Sequence, residues 1–375
     1  MDARVEGLVA EARSGDLTRR QVVERAGLLG VSASAVLALL DGPSVAAAAG
    51  RRVRPKKWRR GTGWGWVWGS DDEVGALNEL SPALARKALS HARGHVYDLG
   101  LAYDRRSFKF PGHSNGEIVT YRSPQGLLLQ RDRPEVTDPS TNSTLTTYAS
   151  CMNTISDNVA TQIDGLGHIY EGDPPHAYNG FKASEIVGDY GLVKLDVTTI
   201  PPIVAPAKMI DVAGHLGRRR LPGHFAIGPD LLRAALRRQR VDIDPLDIVL
   251  IRTGTAGVWL RGDGVGANTE EVAAVDSAGI TLSAARWLVE EKGALMIGSD
   301  TSGLEVTPPP EQLPDGTSFN PVHVYLLPRQ GVHILELVNL EDLARDGVYE
   351  LGFVLSPNKI SGNVAGTVQR PVGLA

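Results

Sequence analysis

Residues 158–168, with the sequence NVATQIDGLGH, hold the densest group of side chains that could take part in catalysis. If this segment forms a strand, Gln162 and Asp164 project to the same face, because side chains two residues apart share a face. The glycines that follow allow the chain to turn, so that His168 can fold back towards the Asp164 carboxylate. A carboxylate and an imidazole are suited to binding Zn²⁺ or Mn²⁺. On spacing alone, the same pair also fits a structural ion pair or a cap.

Other polar and aromatic residues could contribute to substrate binding or to the order of the site. Histidines in Gly-containing segments, which are typical of loops, are His113, His215 and His224. Among them His224 is the best candidate for a substrate contact, whereas His333 is expected to be a surface or packing residue. Asp300 and Glu305 follow an apolar segment and could order the site or bind substrate. Trp68, with Trp64 and Trp66, could wall an aromatic substrate pocket or pack in the core or at a subunit interface.

Composition excludes several alternative chemistries. The single cysteine, Cys151, rules out an intramolecular disulfide and a Cys-rich zinc site, so any metal must depend on His, Asp and Glu. No G-x-S-x-G motif supports a serine nucleophile, and the Gly-rich stretch 254–266 contains no phosphate-binding pattern. The net charge of −4 and the isoelectric point near 6.2 give no reason to expect nucleic acid as a partner.

Several dispersed segments resemble the cyclase family, which includes bacterial kynurenine formamidases and isatin hydrolases. Residues 158–168 are similar, in register, to the family signature HxGTHxDxPxH, with Thr161, Asp164 and His168 on its Thr, Asp and last His. Residues 68–78 resemble the WGxxDExGxLN opening of the longer members, and residues 323–340 resemble their HxxLL…GxxxxENLxNL segment. Further similar segments are Tyr178–Gly180, Ile248–Gly254 and Gly298–Glu305. Their shared order along the chain argues against chance agreement.

The resemblance implies a metal centre with four protein ligands: Asp164, His168, His323 and Glu336. In dinuclear relatives the first two histidines of the signature help to bind one of two metals, but here those positions are Asn158 and Gln162. An amide is a poor ligand beside an imidazole, so the expected cofactor is one divalent metal, Zn or Mn. The segment between His323 and Glu336 is one residue longer than is usual in the family. The extra residue lies around Pro328–Gly331, and we interpret it as a loop insertion.

The ligand set predicts hydrolysis by metal-activated water. A metal lowers the pKa of its bound water towards neutrality, and the hydroxide could attack an amide, imide or lactone carbonyl. Gln162 could donate a hydrogen bond to the developing oxyanion. His168 is either a ligand or the general base, and the sequence does not separate these roles. The expected substrate is a cyclic amide, a lactone or an N-formyl aryl amide; a polyketide-type cyclase without hydrolysis and an exported binding protein without catalysis are alternatives.

The elements that would position these residues alternate between strands and helices, and the high content of Gly and Pro favours a loop-rich protein. Helices are predicted over 81–93, 227–239, 282–292 and 341–346, and strands over 95–101, 208–212, 247–252, 294–297 and 349–354, with long loops or a hairpin over 105–143. The pattern indicates an α/β protein. The resemblance implies a swivelling β/β/α fold, in which a mixed barrel or sheet is flanked by helices, and a homodimer or tetramer.

The N-terminal region is expected to lie outside the catalytic domain. Thr18–Val22 contains a twin arginine and precedes an apolar stretch over 26–40 and an Ala-rich stretch over 46–49, as in a twin-arginine export signal. An amphipathic helix with an Ala-rich linker, in a cytoplasmic protein, is the alternative. The predicted organisation is a signal or disordered tail over 1–50, a basic linker over 51–62 and one catalytic domain over 63–375. No apolar run is long enough to span a membrane.

Overall fold

A mixed β-sheet dominates the computed structural model, which describes residues 58–65, 67–111, 113, 116–156, 159–259 and 269–375. The strands are β1 (Val96–Asp98), β2 (Glu117–Arg122), β3 (Ser150–Thr154), β4 (Gln162–Asp164), β5 (Val187–Gly188), β6 (Gly191–Leu192), β7 (Ile203–Asp211), β8 (Ala226–Ile227), β9 (Ile248–Arg252), β10 (Gly279–Ile280), β11 (Met296–Ser299), β12 (Ile334–Glu336), β13 (Glu350–Leu355), β14 (Ala365–Gly366) and β15 (Val372–Leu374).

Short helices flank the sheet. They are α1 (Pro82–Leu89), α2 (Pro124–Gln130), α3 (Pro134–Thr137), α4 (Ala183–Ile186), α5 (Val212–His215), α6 (Pro229–Gln239), α7 (Ala256–Trp259), α8 (Thr269–Val275), α9 (Leu282–Arg286), α10 (Pro321–Val324) and α11 (Glu341–Asp346). Turns of 3₁₀-helix occupy Gly75–Glu79, Tyr178–Gly180 and Val197–Thr199. Two π-helices, Trp287–Glu291 and Tyr325–Gln330, continue α9 and α10.

The large sheet has nine strands within the described residues, in the order β1-β15-β13-β7-β9-β11-β12-β4-β14. Its centre, from β7 through β9 and β11 to β12, is parallel, and the strands on either side pair antiparallel. The sheet curls into a half-barrel with helices against it. The predicted mixed α/β class, with a central sheet flanked by helices, is confirmed. The strand β4, which carries the predicted catalytic segment, lies near one edge, between β12 and β14.

The apolar sequence of the central strands explains their position. All five residues of β9 (IVLIR) are buried, as expected for a strand covered on both faces. β7 is nearly as buried, although it contains Lys208. The Lys208 ammonium contacts the carboxylate of Glu350 on the neighbouring strand, so the buried charge is paired. The predicted strand over 294–297 is shifted by two residues, since β11 is Met296–Ser299.

Local capping sets the helix limits. Ser81 accepts a hydrogen bond from the Leu84 amide at 3.2 Å and Pro82 occupies the first turn, as predicted for α1. The helix ends at Leu89 rather than at residue 93: Ser90 is its C-cap, and Gly94, at φ 110°, comes only after an irregular turn. The helix predicted over 282–292 is present but changes from α to π at Trp287.

The region predicted as loops or a hairpin over 105–143 contains the strand β2 and the helices α2 and α3. β2 pairs antiparallel with β3, which lies beyond this region, to form a two-stranded ribbon. Both strands of the ribbon are largely exposed. Within the described part of the chain, no helix is long and apolar enough to cross a membrane. Residues 1–57 lie outside the described residues, so the predicted signal and most of the basic linker stay predictions.

Candidate metal centre

The register between β4 and β12 brings the predicted acidic residues together. Glu336 pairs with Gln162 and Ile334 pairs with Asp164 in this antiparallel ladder. Paired residues point to the same face of a sheet, as do residues two apart on one strand. Gln162, Asp164 and Glu336 therefore share one face. All three are buried, with relative exposures of 4%, 0% and 2%.

The helix α10 supplies an imidazole to this face. His323 is 4% exposed, and its Nε2 lies 3.4 Å from the Oε1 atom of Glu336. One ligand atom from each of Asp164, His323 and Glu336 can be chosen so that all lie within 4.8 Å of one another. We call these three residues the carboxylate–imidazole cluster. It contains three of the four predicted metal ligands.

Glu305 holds the imidazole in place from the other side. Its Oε1 accepts hydrogen bonds from the His323 amide, at 3.1 Å, and from the Nδ1 atom of the same residue, while its Oε2 accepts from the Val322 amide at 3.2 Å. The contact at Nδ1 directs one ring N–H at Glu305, so that Nε2 faces the cluster and can act as a ligand once it is deprotonated. Glu305 is 2% exposed, so these contacts are sheltered from water.

The electrostatics of the cluster favour a cation. Burial raises the pKa of Glu336 well above its usual value, and the neighbouring Asp164 carboxylate raises it further. Burial lowers the pKa of His323, but the carboxylates of Glu305 and Glu336 outweigh it and hold that pKa well above normal. The buried Oδ2 atom of Asp164 has no hydrogen-bond partner among the described residues. Two carboxylates, an imidazole and an unsatisfied buried oxygen fit a divalent metal with N and O ligands.

Gln162 contacts both carboxylates of the cluster. Its Nε2 donates to the Oε2 atom of Glu336 at 2.7 Å and lies 3.4 Å from the Oδ1 atom of Asp164. Both amide protons are therefore directed at carboxylates, which disagrees with the predicted donation to an oxyanion. The atom left over is the Oε1 acceptor, which is buried and has no partner among the described residues. Asn158, the other replaced position, lies outside the described residues.

His168 lines a pocket that opens onto the cluster but is not one of its members. The lining residues of the pocket include Gln162, His168, Ser302, His323 and Glu336. His168 is half-buried, and its ring nitrogens do not join the group whose ligand atoms lie within 4.8 Å. Of the two roles that the sequence left open, this position favours general base over metal ligand.

The three residues predicted to bind substrate lie outside the lining of this pocket. His224 is exposed and its Nδ1 contacts the carbonyl of Thr307, a lining residue, so it is close to the rim. Asp300 is fully buried, and its oxygens accept from the amide and hydroxyl of Thr253 and from the amide of Gly254. Asp300 therefore fixes the turn after β9 through these hydrogen bonds. This is the ordering role that the sequence left open for it beside substrate binding.

Trp68 packs against the protein interior. Its indole stacks on that of Trp64, with ring centroids 5.4 Å apart, and its Nε1 donates to Glu79 at 3.0 Å. The Nε1 atom of Trp64 donates to the Ala294 carbonyl at 3.0 Å. Packing, rather than walling the pocket, is thus the role that the geometry gives to Trp68; Trp66 lies outside the described residues.

Several pocket residues were not anticipated as binding residues. Phe108 and Phe110 line the pocket, and Phe110 lies edge-on to His113 with ring centroids 6.1 Å apart. Ser302 also lines it. His113 was interpreted as a loop residue, and it lies in a loop. Only the nearness of that loop to β4 in space, through the bridge between Lys109 and Val159, brings these residues to the site.

The segments that resemble family motifs also build the support of the site. Asp72 accepts hydrogen bonds from the Gly75 amide at 2.9 Å and from the Tyr178 hydroxyl at 2.8 Å. The Ala76 amide then donates to the carbonyl of Gly331 at 2.7 Å, at the end of the helix that begins with α10. A side chain at Gly75, whose φ is 65°, would collide with that carbonyl. This part of the chain therefore packs against, and hydrogen-bonds to, the end of the helix that carries His323.

The extra residue between His323 and Glu336 was interpreted as a loop insertion, and the structure corrects this. The helix continues from α10 as the π-helix Tyr325–Gln330 and ends at Gly331, which has a φ of 64°. A π-helix uses more residues for each turn than an α-helix, so it absorbs an added residue without a loop. Such irregularities are frequent at functional sites.

The fold and site together define a mixed α/β protein with a buried carboxylate–imidazole cluster at the edge of a curled sheet. The family model described as "Putative cyclase" matches residues 88–306, more than half of the chain, so this chain belongs to the cyclase family. The match ends before His323 and Glu336, so their placement depends on the structure.

Solved structures show the same fold. A crystal structure described as a novel cyclase has a TM-score of 0.68 and 23% identity, covering 84% of this chain and 100% of that chain. Isatin hydrolase A from Ralstonia solanacearum has a TM-score of 0.50 and 17% identity, covering 79% of this chain and 98% of its own. A comparison with curated proteins found no match.

Proposed function

We propose that this protein is a metal-dependent hydrolase that uses one divalent metal to cleave a cyclic amide, a lactone or an N-formyl aryl amide. The observation that carries the proposal is the buried cluster of Asp164, His323 and Glu336, whose ligand atoms lie within 4.8 Å of one another. Two buried carboxylates so close together are unstable without a compensating positive charge. The name of the similar isatin hydrolase A agrees with a hydrolytic activity.

Asp164, His323 and Glu336 would hold the metal. A divalent metal of this kind, when bound, polarises a carbonyl oxygen and lowers the pKa of coordinated water. Glu305 keeps Nε2 of His323 directed at the cluster, and the register of β4 with β12 fixes the two carboxylates. The roles of these residues are thus binding and orientation.

His168 is the residue that we assign to proton transfer. It lines the same pocket, and an imidazole has a pKa suited to accepting a proton near neutral pH. The proton would come from the attacking water, and His168 would return it to the leaving nitrogen or oxygen. Phe108 and Phe110 give the pocket an apolar wall, which limits the access of bulk water.

The experiment that tests the proposal combines metal analysis with hydrolysis assays. Protein purified without chelator should contain close to one Zn or Mn per chain by elemental analysis, and should hydrolyse members of a panel of isatin, dienelactone and N-formylaniline substrates. His323→Ala should lose metal and activity together. Cys151 is exposed and lies outside the lining of the pocket, so Cys151→Ala should keep both. Absence of metal from active protein would overturn the proposal and favour cyclisation without a metal.

A further inference from the structure

The turn between two of the predicted metal ligands is held by the N-terminal part of the described chain. His323 lies in α10, a π-helix continues α10 to Gln330, and β12 then carries Glu336. The turn after the π-helix therefore sets where the strand begins relative to the helix. Three residues of this turn are in hydrogen-bond contact with residues 58–65 or 74–76, which we call the N-terminal clasp: Gln330, Gly331 and His333.

Gln330 is held by the first part of the clasp. Its Oε1 atom accepts hydrogen bonds from the amide of Trp64 at 2.7 Å and from the amide of Gly65 at 3.0 Å. Trp64 is 2% exposed, so the clasp is packed into the protein at this point. A side chain at Gly63, whose φ is 67°, would collide with the same oxygen. One amide oxygen thus joins two successive clasp residues to the end of the helix that begins with α10.

The second part of the clasp contacts the rest of the turn. The Ala76 amide donates to the Gly331 carbonyl at 2.7 Å. The Nε2 atom of His333 lies 3.1 Å from the Val74 carbonyl, and its Nδ1 atom lies 2.8 Å from the carbonyl of Asp164. His333 is fully buried. One imidazole therefore bridges the clasp and the backbone of a residue of the carboxylate–imidazole cluster.

The clasp also has an anchor away from this turn, at the end of the π-helix Trp287–Glu291. Three hydrogen bonds make this anchor: Trp58 Nε1 to the Val289 carbonyl at 2.8 Å, the Gly61 amide to the Glu290 carbonyl at 2.7 Å, and Trp64 Nε1 to the Ala294 carbonyl at 3.0 Å. Carbonyls at the end of a helix lack partners within the helix, so donors from elsewhere satisfy them. Because of this anchor, a change at Gln330 alters the contact with the turn without removing every attachment of the clasp.

We propose that the N-terminal clasp positions His323 and Glu336 for metal binding, so that docking of the clasp and binding of the metal strengthen each other. This inference rests on the metal site of the proposed function and is independent of the reaction. A turn held in advance spares the metal the cost of ordering its ligands. The factor by which the docked clasp raises metal affinity must equal the factor by which bound metal favours docking.

The first measurement is a calorimetric titration of chelator-treated, full-length protein with Zn²⁺. Gln330→Ala removes the acceptor of two clasp amides and should weaken Zn²⁺ binding by about fivefold or more. Gln330→Glu keeps an acceptor oxygen at the same place and should retain the wild-type affinity. Gln239→Ala is the matched control, because Gln239 also holds two backbone groups, the Asp211 amide at 3.2 Å and the Met209 carbonyl at 2.7 Å, and lies outside the lining of the pocket. This control should lose stability and keep the Zn²⁺ affinity of the wild type.

The second measurement reads the same linkage from the clasp. Amide hydrogen exchange of the wild-type protein, followed by mass spectrometry, should be slower over residues 58–65 with saturating Zn²⁺ than without metal. The helix α2, no residue of which lines the pocket, is the internal reference and should exchange at the same rate in both conditions. In Gln330→Ala the slowing over residues 58–65 should shrink. Circular dichroism identifies a variant that has not folded, and the exchange of the wild-type protein then decides the inference.

Three results would overturn the inference while leaving the proposed metal site intact. One is a folded Gln330→Ala protein that binds Zn²⁺ as tightly as the wild type. Another is an equal loss of affinity in Gln330→Ala and Gln239→Ala, because the effect would then follow from general destabilisation. The last is Zn²⁺ binding that leaves exchange over residues 58–65 unchanged. A wild-type protein that binds neither Zn²⁺ nor Mn²⁺ would instead overturn the proposed function, and this inference with it.

Discussion

Replacing Glu305 by glutamine tests whether this residue prepares His323 for metal binding. The carboxylate accepts three hydrogen bonds, from the amides of Val322 and His323 and from the Nδ1 atom of His323. A glutamine side chain of the same size offers only one acceptor oxygen. Its NH₂ group must therefore face an N–H donor of the helix or of the ring, and the negative charge that fixes the tautomer of His323 is lost.

The size of the effect follows from these contacts. Leaving one buried N–H without an acceptor costs about 1–3 kcal/mol of unfolding free energy. Loss of the group that orients a metal-binding histidine lowers metal affinity by about 10- to 100-fold. We expect Glu305→Gln to show both changes. Glu305→Asp keeps the charge, although it is shorter, and should recover part of the affinity.

The assay is a titration of chelator-treated protein with Zn²⁺ and with Mn²⁺ by calorimetry, alongside urea unfolding without metal. Glu311→Gln is the matched control. Glu311 also accepts an amide and a side-chain donor at the start of a helix, from Ser283 at 2.6 and 2.8 Å, but it does not line the pocket. The Glu311→Gln variant should therefore lose stability and keep the metal affinity of the wild type. A folded Glu305→Gln protein with wild-type metal affinity would refute the reasoning.

Two further predictions separate catalysis from folding. His168→Ala should keep its metal, because His168 is not part of the cluster, and should lose about 10²- to 10⁴-fold in kcat; loss of metal would instead make it a ligand. Burial raises the pKa of Asp300 to about 6, so between about pH 4 and pH 6 the folded state keeps a proton that the unfolded state loses, and stability falls as pH rises. Denaturant unfolding measures this as a fall in the free energy of unfolding between about pH 4 and pH 6. In the wild type that fall should exceed the one in Asp300→Asn, whose side chain does not ionise, by an amount on the order of 3 kcal/mol. Parallel pH profiles for the two proteins would contradict this explanation.

The local sequence predicts elements well where one physical cause dominates. β9 is a continuous apolar run, and its predicted and observed limits differ by one residue. The start of α1 is fixed by a Ser cap followed by Pro, and it lies where predicted. By contrast, the sequence predicted no helix where α10 and the following π-helix lie, and the pattern of His323–Gly331 does not show that one turn is widened.

The candidate site was predictable only in part, for a similar reason. Asp164, His323 and Glu336 could be named from their residue types and from the family resemblance. Their convergence depends on the antiparallel register of β4 with β12, which joins residues far apart in the chain. Phe108 and Phe110 have no distinguishing spacing, so no local signal could have found them.

The replacement of histidine by Gln162 gives a physical reason to expect one metal rather than two. The cluster holds two carboxylates and one imidazole, so a single divalent cation balances its charge in a buried site. A second cation would leave an excess of positive charge there, which is costly away from water. The amide nitrogen of Gln162 already lies against both carboxylates and supplies partial positive charge at its N–H groups without a net charge. Gln162→His should therefore be the substitution with the best prospect of raising the metal content above one per chain, and elemental analysis of that variant measures it directly.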